Sequence, residues 1–153
     1  MGNEEKPSPE SKESKETTKG PDWFLQLLVQ ITNGIEAHLP LTLNVGGLLI
    51  SGELVSGHVY FNGFADELKN AMKGVSESAA GAVDDFRKLG EIYKLELSEP
   101  EKEIKRPSPL FIHLRNTRMF HPGGQPIPSN RGVWWRGRLE SVDGFILGSL
   151  SVD

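Results

Sequence analysis

The residue types able to do covalent or metal chemistry are few in this chain, and their spacing is wrong for it. The four histidines, His38, His58, His113 and His121, form no i, i+4 pair, and none sits beside a carboxylate in a zinc-type motif. No cysteine is present, which removes disulfides, thiolate metal ligands and thiol nucleophiles together. The glycine pairs at 46–47 and 123–124 lack the flanking pattern of a phosphate or dinucleotide loop and read as turns. Ser51, Ser56 and Ser141 have no nucleophile-elbow context, and Asp84-Asp85 reads as the wet face of a charged helix. His113 alternates with Ile112 and Leu114, which predicts the exposed face of a strand. The expectation is a protein without catalytic residues, metal or cofactor.

Recognition chemistry is better supplied. Trp134, Arg136 and Arg138 alternate along one expected strand, with Phe145 facing them from the next and Arg115 and Arg118 on a third. Arginine stacks on indole, and both residue types concentrate at interface hot spots. Two readings follow. In the plain one a helix covers Trp134 while Arg136 and Arg138 solubilise a sheet edge. In the functional one Trp134, Arg136, Arg138, Phe145, Arg115 and Arg118 make a protein-interaction surface.

Several elements must position these groups. Asp22 is a good helix cap before the apolar run Trp23 to Ile31, and Thr32-Asn33-Gly34 reads as its stop, so a helix is predicted over about 22–33. It is apolar nearly all round and should pack under something. Pro40 to Val55 read as a hairpin about Gly46-Gly47. Its register pairs Val45 with Leu48, Leu43 with Ile50 and Leu41 with Gly52 on an apolar face, and Thr42 with Ser51 on the other. Helical spacing then predicts helices over about 62–73 and 76–94, the second weakened by Gly81 and Gly90 and docking loosely on the sheet. Residues 95–109 read as a linker, 110–120 as a strand and 121–132 as a long loop rich in proline and glycine. Strands over 133–142 and 145–152 are predicted to pair about Asp143-Gly144, with Val142 opposite Phe145, Leu139 opposite Gly148, Gly137 opposite Leu150 and Trp135 opposite Val152. One face of that hairpin, Val133, Trp135, Leu139, Ile146, Leu150 and Val152, would fill the core.

The expected fold is therefore α+β: an antiparallel sheet of about five strands, curled into a small partly open barrel, with two or three helices. The expected domains are a disordered tail over 1–20, built of Ser, Lys, Glu, Thr, Gly and Pro with no apolar anchor beyond Met1, and a single domain over 21–153. A net charge of −4 argues against a general nucleic-acid binder. The charge is unevenly spread: residues 21–65 hold no Lys or Arg, whereas 110–153 hold Arg115, Arg118, Arg131, Arg136 and Arg138 against Glu140, Asp143 and Asp153. The chain opens without an apolar run behind a basic stretch, and its longest apolar run falls far short of the roughly 20 residues that span a bilayer, so a soluble cytoplasmic protein without membrane contact is expected.

The order of these blocks resembles a known family. Leu-Thr-Leu-Asn-Val-Gly-Gly-Leu-Leu-Ile-Ser-Gly at 41–52, Phe-Ile-His-Leu-Arg-Asn-Thr at 111–117, Trp-Trp-Arg-Gly-Arg at 134–138 and Val-Asp-Gly-Phe-Ile-Leu-Gly at 142–148 are similar to the gas vesicle accessory protein U family, over roughly residues 36–153 with a poorly matched middle. The resemblance implies a cytoplasmic, non-enzymatic role beside gas vesicles, with shell or other accessory proteins as partners. The expected function is an adaptor that binds gas vesicle components, self-associates and promotes vesicle clustering. An assembly chaperone that shields the apolar shell subunit through the 75–94 helix is the alternative reading, and a small β-barrel RNA binder is a third.

Overall fold

The carboxylate of Asp22 accepts a hydrogen bond from the Phe24 amide at 2.9 Å and so opens the first helix, α1 (Trp23–Ile35). A computed structural model of the chain describes residues 20–72, 78–94 and 108–151. The linker reading over 95–107, and the tail reading over 1–19, lie outside the described residues. Helix α1 runs past Gly34, which was expected to stop it, and ends where Glu36 turns into the left-handed region (φ 51°). Asn33 is drawn into the helix because its side-chain oxygen accepts from the Gly57 amide at 3.0 Å, tying α1 to the start of the next helix.

Strands β1 (Leu39–Val45) and β2 (Leu48–Val55) pair in the register read from the sequence. Gly46 and Gly47 both take positive φ, 59° and 89°, as a tight two-residue turn with strand twist requires. Helix α2 (Gly57–Ala71) starts a full turn earlier than predicted because buried Ser56 caps it, its hydroxyl accepting from the Val59 amide at 3.1 Å. Helix α3 (Ser78–Leu89) gives way to a 3₁₀ turn at Gly90–Tyr93. Gly90 is buried there against α2, where a β-carbon would lie 3.1 Å from that of Phe61. Helix α3 was expected to dock on the sheet; it packs on α2 instead, with Phe86 edge-on to Phe64 at 6.0 Å and Arg87 ion-paired to Asp66. Asp84, Asp85 and Lys88 charge its exposed flank, and Val83 is its one buried apolar side chain among those described.

Strand β3 (Phe111–Phe120) pairs with β2 and with β4 (Val133–Arg138), and the sheet order is β4-β3-β2-β1-β5, antiparallel throughout. Strand β5 (Gly144–Leu147) pairs with β1, Phe145 opposite Leu43 and Leu147 opposite Leu41. The predicted hairpin about Asp143-Gly144 is therefore not formed, and β4 and β5 lie on opposite edges. Two interactions divert the chain. Leu139 still donates its amide to the Leu110 carbonyl at 2.9 Å but begins a 3₁₀ turn with its side chain completely buried in the core, while Asp143 finds the β1–β2 turn, accepting from the Gly46 amide at 2.8 Å and donating its own amide to the Asn44 carbonyl at 2.9 Å. Across a flat sheet β4 and β5 would be about 19 Å apart in the pairing direction alone. Residues 139–143 reach that far because the sheet curls, yet β4 and β5 do not pair, so the barrel stays open.

The curl gives the sheet two different faces. On the concave one, Leu25 and Val29 of α1 meet Leu41, Leu43, Ile50, Leu54, Ile112, Leu114 and Leu139, with Trp135 and Phe145 packed at the margins. Of the side chains expected in the core from the last two strands, Trp135 and Leu139 lie there, whereas Val133 is half-buried outside that cluster, Ile146 is exposed and Leu150 lies in a cleft on the other face; Val152 lies outside the described residues. That other face is covered at its β3–β4 end by α2, whose Tyr60 packs edge-on against Trp134 at 6.0 Å. Gly63 faces the same indole so closely that a β-carbon would lie 2.0 Å from the ring. Ala for Gly in an open helix interior adds up to about 1 kcal/mol. Gly63→Ala is expected to do the reverse, lowering stability by about 1–3 kcal/mol in urea melts through overpacking on Trp134; a gain would show that the indole moves aside freely.

Candidate functional site

Strand alternation places Phe111, His113, Arg115, Trp134 and Arg136 on the sheet face opposite α1, and the structure divides them between two environments. The first lies under α2. His113 is 1 % exposed, packed at 4.7 Å from the Tyr60 ring and 5.4 Å from that of Tyr93. Its alternation with Ile112 and Leu114 was correctly read, but the face is not wet, because α2 and the Gly90–Tyr93 turn cover it. Arg136 donates from Nε to His113 Nε2 at 3.2 Å, and its guanidinium stacks 3.8 Å from the centre of the Phe111 ring. Accepting at Nε2 leaves the ring proton on Nδ1, which is buried without a partner. Burial, and secondly the Arg136 charge, lower the His113 pKa to about 3.

The second environment is a polar groove along the rest of this face. The guanidinium of Arg115 pairs with Glu53 at 2.5 Å. Beyond that pair, Ser51, Asn116, Arg118, Asn130, Arg131 and the segment Ser149–Ser151 line a cleft of about 410 Å³. A second cleft of about 310 Å³ shares Glu53, Asn116 and Gly132 with it and continues past Arg115 to Trp134 and Glu67. The groove exists because the chain after β5 folds across the sheet, the Leu150 amide donating to Ser51 Oγ at 2.6 Å and the Thr42 hydroxyl to the Gly148 carbonyl at 2.8 Å.

The six residues expected to share one surface are thus distributed. Arg115, Arg118 and one side of Trp134 line the groove; Arg136 is engaged with His113 and Phe111; Arg138 is exposed at the end of β4; Phe145 lies on the opposite sheet face, 5.7 Å from Phe24. A single face holding all six required β4 beside β5, which the Leu139 crossing prevents. Arg131 lies in a loop and had no sequence signal of its own, and Ser149–Ser151, expected within a strand over 145–152, follow the strand's end at Leu147.

A third feature went unread. Helix α1 buries Leu25, Val29 and Thr32 but leaves Trp23, Phe24, Leu27, Ile31 and Ile35 between 43 % and 60 % exposed. The expectation that this helix packs under something holds for one side only. On the other an uncharged apolar row faces outward, and Phe145 against Phe24 joins it to edge strand β5, where Leu147 is 67 % exposed. The sequence signal was present in the absence of charge from Trp23 to Ile35.

A family model described as gas vesicle protein GvpU-like matches residues 22–150. The chain belongs to the GvpU-like family of gas vesicle proteins. No curated protein and no solved structure matches it. The match takes in α1 as well as the sheet, so the apolar row lies within the GvpU-like region. Among the described residues no helix is long and apolar enough to cross a membrane, and no three His, Asp or Glu side chains converge as a metal site would require.

The buried imidazole of this GvpU-like protein makes stability depend on pH. An unfolded histidine titrates near 6.5 and the folded one near 3, so the unfolded state binds the extra proton between those values. Stability from this group is complete above about pH 6.5 and declines as pH falls, by about 2 kcal/mol between pH 7 and 5. Urea melts of the wild type and His113→Phe at both pH values measure it. The variant should lack this part of the decline, and parallel slopes would refute it.

Proposed function

We propose that this GvpU-like chain is a non-enzymatic adaptor that binds other gas vesicle components and draws vesicles into clusters. The observation that carries the reading is the exposed row Trp23, Phe24, Leu27, Ile31 and Ile35. Scattered surface leucines need no explanation, but an apolar patch this continuous marks a contact surface. The row ascends one side of an uncharged helix at i, i+4 spacing and begins with two aromatic rings, the residue type from which interface energy is mostly drawn. Family membership supports gas vesicle shell or accessory proteins as the occupants, and an apolar helix face is the chemistry that would fit them.

Leu27→Glu/Ile31→Glu tests the reading. Both side chains are already nearly half exposed, so the melting temperature should fall only modestly. Co-sedimentation with purified vesicles should weaken about tenfold or more, since each charge would have to be buried against an apolar partner. Turbidity and microscopy of the same mixtures report clustering. Vesicles that stay dispersed with the wild-type protein at every salt concentration would reject the clustering part, and unchanged co-sedimentation of the variant would reject the docking row.

An assembly chaperone for the apolar shell subunit is the second reading, and the same row favours it, because an apolar subunit in transit needs an apolar cover. In the 75–94 segment, the other candidate for that role, Val83 is buried and Phe86 is engaged with Phe64 of α2. If Leu27→Glu/Ile31→Glu lowers the yield of vesicles in cells while purified vesicles cluster normally, the chaperone reading replaces the adaptor.

A further inference from the structure

The polar groove is a different surface from the apolar row, on the opposite side of the sheet, and its chemistry is specific. Arg118 is half-buried and Arg131 exposed, and among the described residues neither has a carboxylate within ion-pair distance. The acid nearest in the groove, Glu53, is already held by Arg115 at 2.5 Å. Side-chain amides of Asn116 and Asn130 and hydroxyls of Ser149 and Ser151 complete the walls. No lysine occurs in residues 108–151, so the positive charge of this face comes entirely as planar guanidinium forks. Such forks match a carboxylate with two parallel hydrogen bonds, where an ammonium offers a point charge.

The groove's shape and its far end narrow the ligand further. Its two clefts share Glu53, Asn116 and Gly132, so their walls reach from Ser149–Ser151 to Trp134, which suits an extended chain better than a compact anion. Beyond Arg115 the wall carries Glu67, ion-paired to nothing among the described residues, beside the Trp134 ring. A polyphosphate strand, with a charge at every unit, would be repelled as it passed that carboxylate. A peptide can place its acidic side chains on Arg118 and Arg131 and a neutral or apolar residue against Trp134. We infer that the groove from Arg118 and Arg131 to Trp134 is a binding site for an extended acidic peptide segment of a partner protein. Only the identity of the partner, another gas vesicle component, rests on the adaptor reading; the groove's chemistry stands apart from it.

The test needs no vesicles, so it fails or succeeds independently of the apolar row. A fluorescein-labelled peptide of alternating glutamate and glycine, its glutamine counterpart and a single-stranded RNA oligonucleotide are titrated with the full chain, with anisotropy as the readout. The glutamate peptide should bind and the glutamine peptide should not. Arg118→Gln/Arg131→Gln should weaken the glutamate peptide about tenfold or more, while Lys69→Gln/Lys88→Gln, which removes the same charge from the helices, should change it less than about twofold. In the wild-type protein, the peptide should shift the backbone amide resonances of Asn130–Gly132 and Ser149–Ser151, a measurement that does not depend on any variant folding. No binding of the glutamate peptide, equal binding of the glutamine peptide, equal loss in the lysine variant, or shifts elsewhere overturns the site. Tighter binding of RNA, lost with the two arginines, would overturn it in favour of a nucleic-acid groove.

Discussion

Burial of Leu139 inside the curled sheet constrains everything that follows it in the chain. A leucine taken fully out of water contributes about 1.5–3 kcal/mol, against about 0.5–1.5 kcal/mol net for each ladder hydrogen bond. Past Leu139, whose amide still bonds the Leu110 carbonyl, the chain crosses to the far edge, where Asp143 secures it to the β1–β2 turn. The open barrel, the two unlike faces and the groove under Ser149–Ser151 all descend from that crossing. Had the last strands formed a local hairpin, the indole and guanidinium groups would have stood together on one outer side.

What the sequence discloses depends on how local the deciding interaction is. Gly46-Gly47 and Asp143-Gly144 look alike as turn dipeptides, yet only the first makes a hairpin. The first is flanked by strands whose alternation matches in register. At the second, the aspartate has a partner almost a hundred positions away, Gly46, and no local pattern announces it. The same distinction separates α1, whose cap Asp22 is adjacent and readable, from α2, whose cap Ser56 is hidden at the end of a strand. His113 was assigned to its correct face by alternation, but whether that face is wet depends on α2, which pattern alone cannot place on the sheet.

The site was legible in composition more than in arrangement. Arginine-only basicity after residue 110 was legible, and of the six residues expected to share one interaction surface the groove gathers Arg115, Arg118 and one side of Trp134. Arg136 remains exposed while it stacks on Phe111 and bonds His113, contacts that no spacing announces. The apolar row on α1 shows the converse limit. A helix apolar nearly all round was read as buried all round, because helical periodicity reports how wide an apolar stripe is without saying whether the rest of the same chain covers it.

The β5–β1 pairing has a consequence for synthesis. Thr42 and Gly148 are 106 positions apart, so a ribosome completes the β1–β2 hairpin long before the strand that covers its free side exists. Until then β1 presents an unpaired edge beside Leu41 and Leu43, the arrangement that recruits strands from neighbouring molecules. Chains released early by a stop codon or clipped near Gly144 would carry that bare edge permanently, and such fragments should be the sticky ones.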